Sequence, residues 1–161
     1  MEQFAALIAI DWSDAKHDIC LLDVSTSKQE DSILKHTPED LEAWATALRT
    51  RFAGQQIAVC LEQSRGPLIY ALLKYDFLVL YPINPATLAK YREAFSPSRA
   101  KDDPRDAEYM LELLLQHRDR LKAWRPENAK TRTLQYLVEY RRRLVNDRTA
   151  ESLFSSGVTV V

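Results

Sequence analysis

Glycine is scarce: Gly54, Gly66 and Gly157 are the only three in 161 residues. A GxGxxG turn or a P-loop gathers its glycines in one turn so that backbone amides can approach phosphate. Nucleotide-handling folds of those types are therefore excluded. Cysteine is almost as rare. Cys20 and Cys60 stand far apart in apolar runs, with no CxxC pair, which predicts two buried free thiols in a reducing compartment. No apolar run approaches the roughly 20 residues of a membrane-spanning helix, and no basic-then-apolar leader opens the chain. The expectation is a cytoplasmic protein without a membrane partner. The three histidines, His17, His36 and His117, show no HxxxH or HExxH spacing, so packing or surface roles are expected of them.

What is present is a globular composition, 46% apolar and 28% charged. Net charge is only −1, but it is unevenly spread. Residues 118–148 hold ten Lys/Arg against four Asp/Glu, a net of +6, and the remainder is net −7. A basic segment attached to an acidic-faced domain is implied. We divide the chain into a domain at 1–120, a connecting and assembly region at 121–149, and a tail at 150–161.

Phe4 to Asp11 is a continuous apolar run ending in a carboxylate, the pattern of a central strand buried on both faces. Asp18 to Val24 predicts a second strand and Gln29 to Lys35 an edge strand. Thr37-Pro38-Glu39-Asp40 is a strong helix start, with Leu41, Trp44, Ala45 and Leu48 recurring at helical spacing. Gln56 to Glu62 is another apolar strand that ends in a carboxylate. A short helix from Pro67, a strand at Phe77 to Tyr81 and a helix at Pro85 to Phe95 follow. A further helix is predicted from Asp103-Pro104 to about His117, with Ala107, Met110, Leu111 and Leu114 on one face. Trp124 and Pro126 precede a last helix from about Asn128 to Arg148, where Leu134, Leu137, Val138, Leu144 and Val145 approach a heptad. This order implies an α/β fold, a mixed sheet flanked by helices with a C-terminal helical arm.

Candidate chemistry collects at the carboxyl ends of strands. Asp11 and Glu62 end two of them, and Asp103 and Asp106, at i, i+3 spacing in a helix start, share one face. Four converging carboxylates would repel unless a hard cation such as Mg²⁺ or Mn²⁺ joined them. A plainer reading stays open on the residues alone: Asp often forms turns, and acids in a first helical turn complement the dipole.

Four runs narrow this: IAIDWSDAKHDICLLD, VCLEQSRG, INPATLAKYREAF and KDDPRDAEYMLELL. Their strand-ending Asp, Glu near Gly, Asn84-Pro85 junction and Lys-x-Asp-x-x-Asp-Ala motif resemble the DEDD transposases of the insertion-sequence-110 group and their Piv-type invertase relatives. The resemblance spans Ala6 to Thr149. It implies an RNase H-like, RuvC-type fold and a catalytic, metal-binding tetrad at Asp11, Glu62, Asp103 and Asp106. Asp102 beside Asp103 leaves the third ligand ambiguous, and the i, i+3 pairing with Asp106 favours Asp103. Lys101 lies in the same motif and is a candidate DNA contact. So are Arg141, Arg142 and Arg143, set in the basic segment.

The resemblance further implies Mg²⁺ or Mn²⁺ as cofactor, DNA as substrate, a guide RNA as partner and action as a homo-oligomer through the C-terminal helix. The family's second domain, with its nucleophilic serine, has no counterpart here. The tail AESLFSSGVTVV does not continue the pattern, and Ser155 and Ser156 lack the motif context. A truncated copy is expected on this ground. The alternative to a DNA-cleaving domain is thus a catalytically inactive copy that binds nucleic acid or oligomerises.

Overall fold

The computed structural model describes residues 3–13, 15–62, 67–95, 105–124, 137–138, 140–146 and 148. The chain divides into two compact units, residues 1–125 and 126–161. The first is built on a five-stranded mixed sheet in the order β3-β2-β1-β4-β5. Its strands are β1 (Ala6–Asp11), β2 (Lys16–Asp23), β3 (Lys28–Lys35), β4 (Ile57–Glu62) and β5 (Leu78–Ile83). β1 to β3 form an antiparallel meander, while β4 and β5 run parallel to β1. A two-sided α/β sheet of the expected kind is what the chain forms, and the edge strand predicted at Gln29 to Lys35 is β3.

Helices cover both faces. On one side α1 (Pro38–Arg51) and α2 (Pro67–Leu72) pack on Ile8, Ile10, Ile19, Leu21, Val59 and Leu61. On the other, α3 (Pro85–Phe95) and α4 (Asp106–His117) pack on Leu7, Ala9, Cys20, Ala58, Cys60 and Val79. Alternate residues of one strand thus enter opposite cores, as the period of two requires. Both cysteines are free and buried, as their apolar settings predict.

Local signals set the helix starts. Thr37 caps α1, its hydroxyl accepting from the Asp40 amide at 3.1 Å, and Pro38 opens the first turn. Asn84 does the same for α3: its side-chain oxygen accepts from the Ala86 amide at 2.8 Å, and its carbonyl accepts from Thr87 and Leu88. Pro85 then needs no amide partner at the first helical position.

One expectation is corrected. α4 begins at Asp106, not at Asp103-Pro104, because Arg105 is extended at φ −69°, ψ 158°. Proline and acids mark a helix start here without fixing its first residue. Trp124 packs against the domain. Its amide donates to the Leu80 carbonyl at 2.8 Å, and its ring meets Tyr70 edge-on at 6.2 Å. It bridges to the outer edge of β5.

The second unit is helical at 137–138, 140–146 and 148. Leu137, Val138, Leu144 and Val145 are exposed there. Leu134 and the start of the predicted helix lie outside the described residues.

The phase of α4 generates the first prediction. Leu114 is fully buried and Leu115 is 55% exposed. Leu114→Ala should cost about 2–5 kcal/mol in urea unfolding, whereas Leu115→Ala should stay within about 0.5 kcal/mol. Equal losses would mean that the helix presents a different face to the sheet.

Candidate functional site

The alternation that builds the two cores also aims the carboxylates. On β1, Asp11 continues the side occupied by Leu7 and Ala9; on β4, Glu62 continues that of Ala58 and Cys60. Since β1 and β4 are parallel neighbours, both carboxylates stand at the same end of the same face. That face is the one α4 covers, and α4 opens with Asp106. Three of the four expected acids are thereby brought to one corner, although 95 positions separate Asp11 from Asp106.

Electrostatics report the convergence. The Asp11 carboxyl is pushed up from 3.8 to about 6, first by burial and then by the charges of Asp106, Asp18 and Glu62, with Arg92 opposing. Among the described residues, however, no group of three or more His, Cys, Asp or Glu is drawn close enough to hold a metal ion. The donor type suits a hard cation, since all three acids offer oxygen. Their spacing is that of charges within Coulombic reach of one another.

Asp103, Asp102 and Lys101 lie outside the described residues. The reason for preferring Asp103 to Asp102 nonetheless weakens. Helical i, i+3 pairing with Asp106 requires a helix running through Arg105, and Arg105 is extended. Arg141, Arg142 and Arg143 lie on the helical stretch of the second unit and are exposed.

Three contributors were not visible in the sequence reading. Asp18 faces Asp11 directly across the β1–β2 ladder, so a like charge is placed opposite it. The signal was the tight connection between the two strands, which fixes their register. Arg92 on α3 pairs with Asp106, Nε to Oδ1 at 3.2 Å. It lies inside the INPATLAKYREAF run, where spacing alone does not point to Asp106. The third is a histidine pair.

His17 is fully buried, and its Nδ1 accepts from the Ser13 amide at 3.2 Å. The proton is therefore on Nε2, which donates to Nδ1 of His36 at 2.9 Å. Two histidines 19 positions apart in sequence thus meet in space. Burial pushes His17 down to about 4, with His36 adding to the effect. Trp12, 38% exposed, stacks on the His17 ring at 6.3 Å. The Ser13 hydroxyl also bonds to the Lys16 carbonyl, so the loop directly after Asp11 is fastened on the face opposite the acids.

A groove of about 780 Å³ lies at the other end of the sheet, lined by Phe4, Asp23, Ser25, Arg51 and Phe52. Its charges are mutually satisfied: Arg51 pairs with Glu30 at 2.8 Å and with Asp23 at 3.5 Å. Bonding to Ser25 holds the Asp23 carboxyl below its usual range. The site chemistry is at the carboxylate end.

A family model for DEDD transposases of the insertion-sequence-110 type, described as transposase, matches residues 8–153. A Sinorhizobium fredii (strain NGR234) protein, y4uE, provisionally named a transposase, is 32% identical over 108 residues. That match covers 65% of this chain and spans 30% of the length of y4uE. Among solved structures, T. thermophilus RuvC in complex with a Holliday junction substrate overlaps 74% of this chain and 99% of its own. The overlap has 13% identity and a TM-score of 0.47, a slight likeness on which no functional step is built.

The raised Asp11 pKa fixes the sign of a pH effect. The folded state holds this proton up to about pH 6, the unfolded chain only to about 3.8. The ionised carboxylate therefore destabilises the fold above pH 6, and the penalty vanishes below about pH 4. Asp11→Asn should be more stable than wild type at pH 7 by about 1–2 kcal/mol, less than the ~3 kcal/mol of the bare shift because solvent screens the group. The gap should close by pH 4 in paired thermal melts. His17 has the opposite sign, losing stability as pH falls from 6.5 toward 4, but it is common to both proteins and cancels. A gap that stays constant with pH would refute the convergence of charge on Asp11.

Proposed function

The chain belongs to the insertion-sequence-110 DEDD transposase family, and from this premise we propose that it acts as the metal-dependent DNA-cleaving domain of a transposase or site-specific recombinase. The observation that carries the reading is the gathering of Asp11, Glu62 and Asp106 at one end of one sheet face, with the Asp11 carboxyl raised by burial and then by the charges of Asp106, Asp18 and Glu62. These three, with Asp103, would hold Mg²⁺ or Mn²⁺. The ion, when bound, would polarise a phosphodiester and stabilise the attacking and leaving oxygens.

The chain's own residues have separate tasks. Asp11 projects from a strand paired on both sides, so its carboxylate is held with little freedom. Glu62 ends the neighbouring parallel strand, and Asp106 comes in from α4. The Ser13 amide, donating to His17 Nδ1, fastens the loop after Asp11, and the His17–His36 hydrogen bond holds that imidazole in place. Lys101 and the exposed Arg141, Arg142 and Arg143 would contact DNA phosphates, giving a salt-dependent affinity. A guide RNA and a homo-oligomeric state complete the proposal. The oligomer is supported by the exposed Leu137, Val138, Leu144 and Val145, seven-residue pairs on one helical stretch.

A second reading has its own support. The exposed Arg141, Arg142 and Arg143, with Leu137, Val138, Leu144 and Val145 on the same helical stretch, fit a chain that binds nucleic acid or partner copies without cutting.

Incubation of this chain with branched and linear DNA in Mg²⁺ or Mn²⁺, beside Asp11→Asn, separates the two. Metal-dependent nicking by wild type, lost at least a hundredfold in Asp11→Asn, supports the first reading; DNA binding without nicking by either protein supports the second. Assembly is checked by sedimentation. Leu137→Glu/Leu144→Glu should convert an oligomer to monomer, because charges would replace the apolar stripe. A monomeric wild type at tens of micromolar removes the assembly claim.

A further inference from the structure

The Arg92–Asp106 pair joins α3 to the first residue of α4 at the carboxylate corner. Its position is built, not incidental. The Asn84 cap and Pro85 set the start of α3, and Leu88, one turn on, is fully buried on the sheet. Tyr91 packs edge-on against Tyr109 and His117 of α4, at 6.2 and 6.1 Å. These contacts fix the two helices side by side and deliver Arg92 to Asp106. The positive charge of Arg92 also reaches Asp11.

Neither partner is sequestered: the Arg92 side chain is 44% exposed and that of Asp106 is 33% exposed. An ion pair in that setting holds weakly and exchanges readily. A guanidinium on Asp106 Oδ1 and a divalent cation on the same carboxylate repel each other, so each weakens the other's hold. A guanidinium displaced from a carboxylate at the mouth of such a site matches a phosphodiester well, because its fork of N–H donors meets the two non-bridging oxygens.

We propose that Arg92 is a substrate-phosphate contact which, before DNA arrives, occupies Asp106 and competes with the metal for it. The inference rests on the metal reading of the carboxylates given above. Metal and DNA then assist each other: the ion frees Arg92, and the phosphate takes the guanidinium away from Asp106. A role confined to pinning α3 to α4 would produce neither effect.

Mn²⁺ alone is titrated calorimetrically into wild type, Arg92→Gln, Arg92→Lys and Asp11→Asn. A short DNA duplex is then titrated across a range of salt, in Ca²⁺, with anisotropy as readout. Arg92→Gln should bind Mn²⁺ about two- to fivefold more tightly in the absence of DNA, the worth of an exposed pair. The same variant should bind DNA less tightly, with a salt slope smaller by about 0.9, one phosphate contact. Arg92→Lys should stay near wild type in Mn²⁺ affinity and salt slope, since it keeps the charge, but bind DNA less tightly at any one salt because it lacks the fork of donors. If Arg92→Gln lowers the melting temperature but leaves Mn²⁺ affinity and salt slope unchanged, the pair is only a helix clasp and the proposal falls. A wild type without salt-dependent DNA affinity overturns the phosphate contact outright. If Asp11→Asn binds Mn²⁺ as wild type does, the metal reading itself fails. Loss of Mn²⁺ binding in Asp11→Asn, together with an unchanged Arg92→Gln, overturns only the assignment of Arg92.

Discussion

β1 has neither a free edge nor a free face. It pairs antiparallel with β2 on one side and parallel with β4 on the other, and Ala6 to Ile10 are buried between the two helical layers. A one-residue slip of either neighbour would send its apolar set out of one core and into the other. That cost fixes the register, and the register places the acids. Asp11 is where the buried run ends, and its aim follows from the parity of Leu7 and Ala9 behind it. Glu62 is aimed in the same manner by Ala58 and Cys60. The site is thus a by-product of packing: charged residues appear where two apolar strands stop, on the side their alternation dictates.

The arrangement works against itself in a useful way. Asp18 lies opposite Asp11 on the antiparallel side and Glu62 beside it on the parallel side. Like charges opposed across a ladder destabilise it, and partial burial worsens the cost. Such a corner is stable only because the sheet beneath is over-determined by two cores. Stored repulsion is also what makes the corner receptive to a positive group, and Arg92 on α3 already exploits this.

Much of the fold was legible. The carboxylate-terminated runs at Asp11 and Glu62, the Thr37-Pro38 start and the Asn84-Pro85 junction are local signals, and each appears in the structure as an element boundary. The start of α4 was not, because Pro and acids at 102–106 mark a helix start without saying which residue is the first helical one; the extended ψ of Arg105 decides it. The third expected ligand, Asp103, lies outside the described residues, so that corner of the site is known from three acids. Asp18 became part of the site through strand register, and Arg92 through helix-on-helix packing of Tyr91 with Tyr109. The His17–His36 bond likewise required the β2–β3 hairpin to set Leu34 opposite His17 and leave His36 just beyond. Spacing along the chain carries no trace of such pairings.

The clasp of Trp124 on Leu80 has a mechanical consequence. Trp124 stands next to Arg125, where the first unit ends, and it is bound to the outermost strand by one backbone hydrogen bond and to α2 by a ring contact with Tyr70. Tension along the backbone from residue 126 onward therefore meets the edge of β5 before it reaches η1 (Arg118–Arg120) or α4. A single-bond bridge yields by peeling, at low force, whereas the β1–β4 ladder would have to shear several bonds at once. Leu121 and Ala123, between η1 and the bridge, pack against the α4 side of the core, so this segment is held along its length and not only at Trp124.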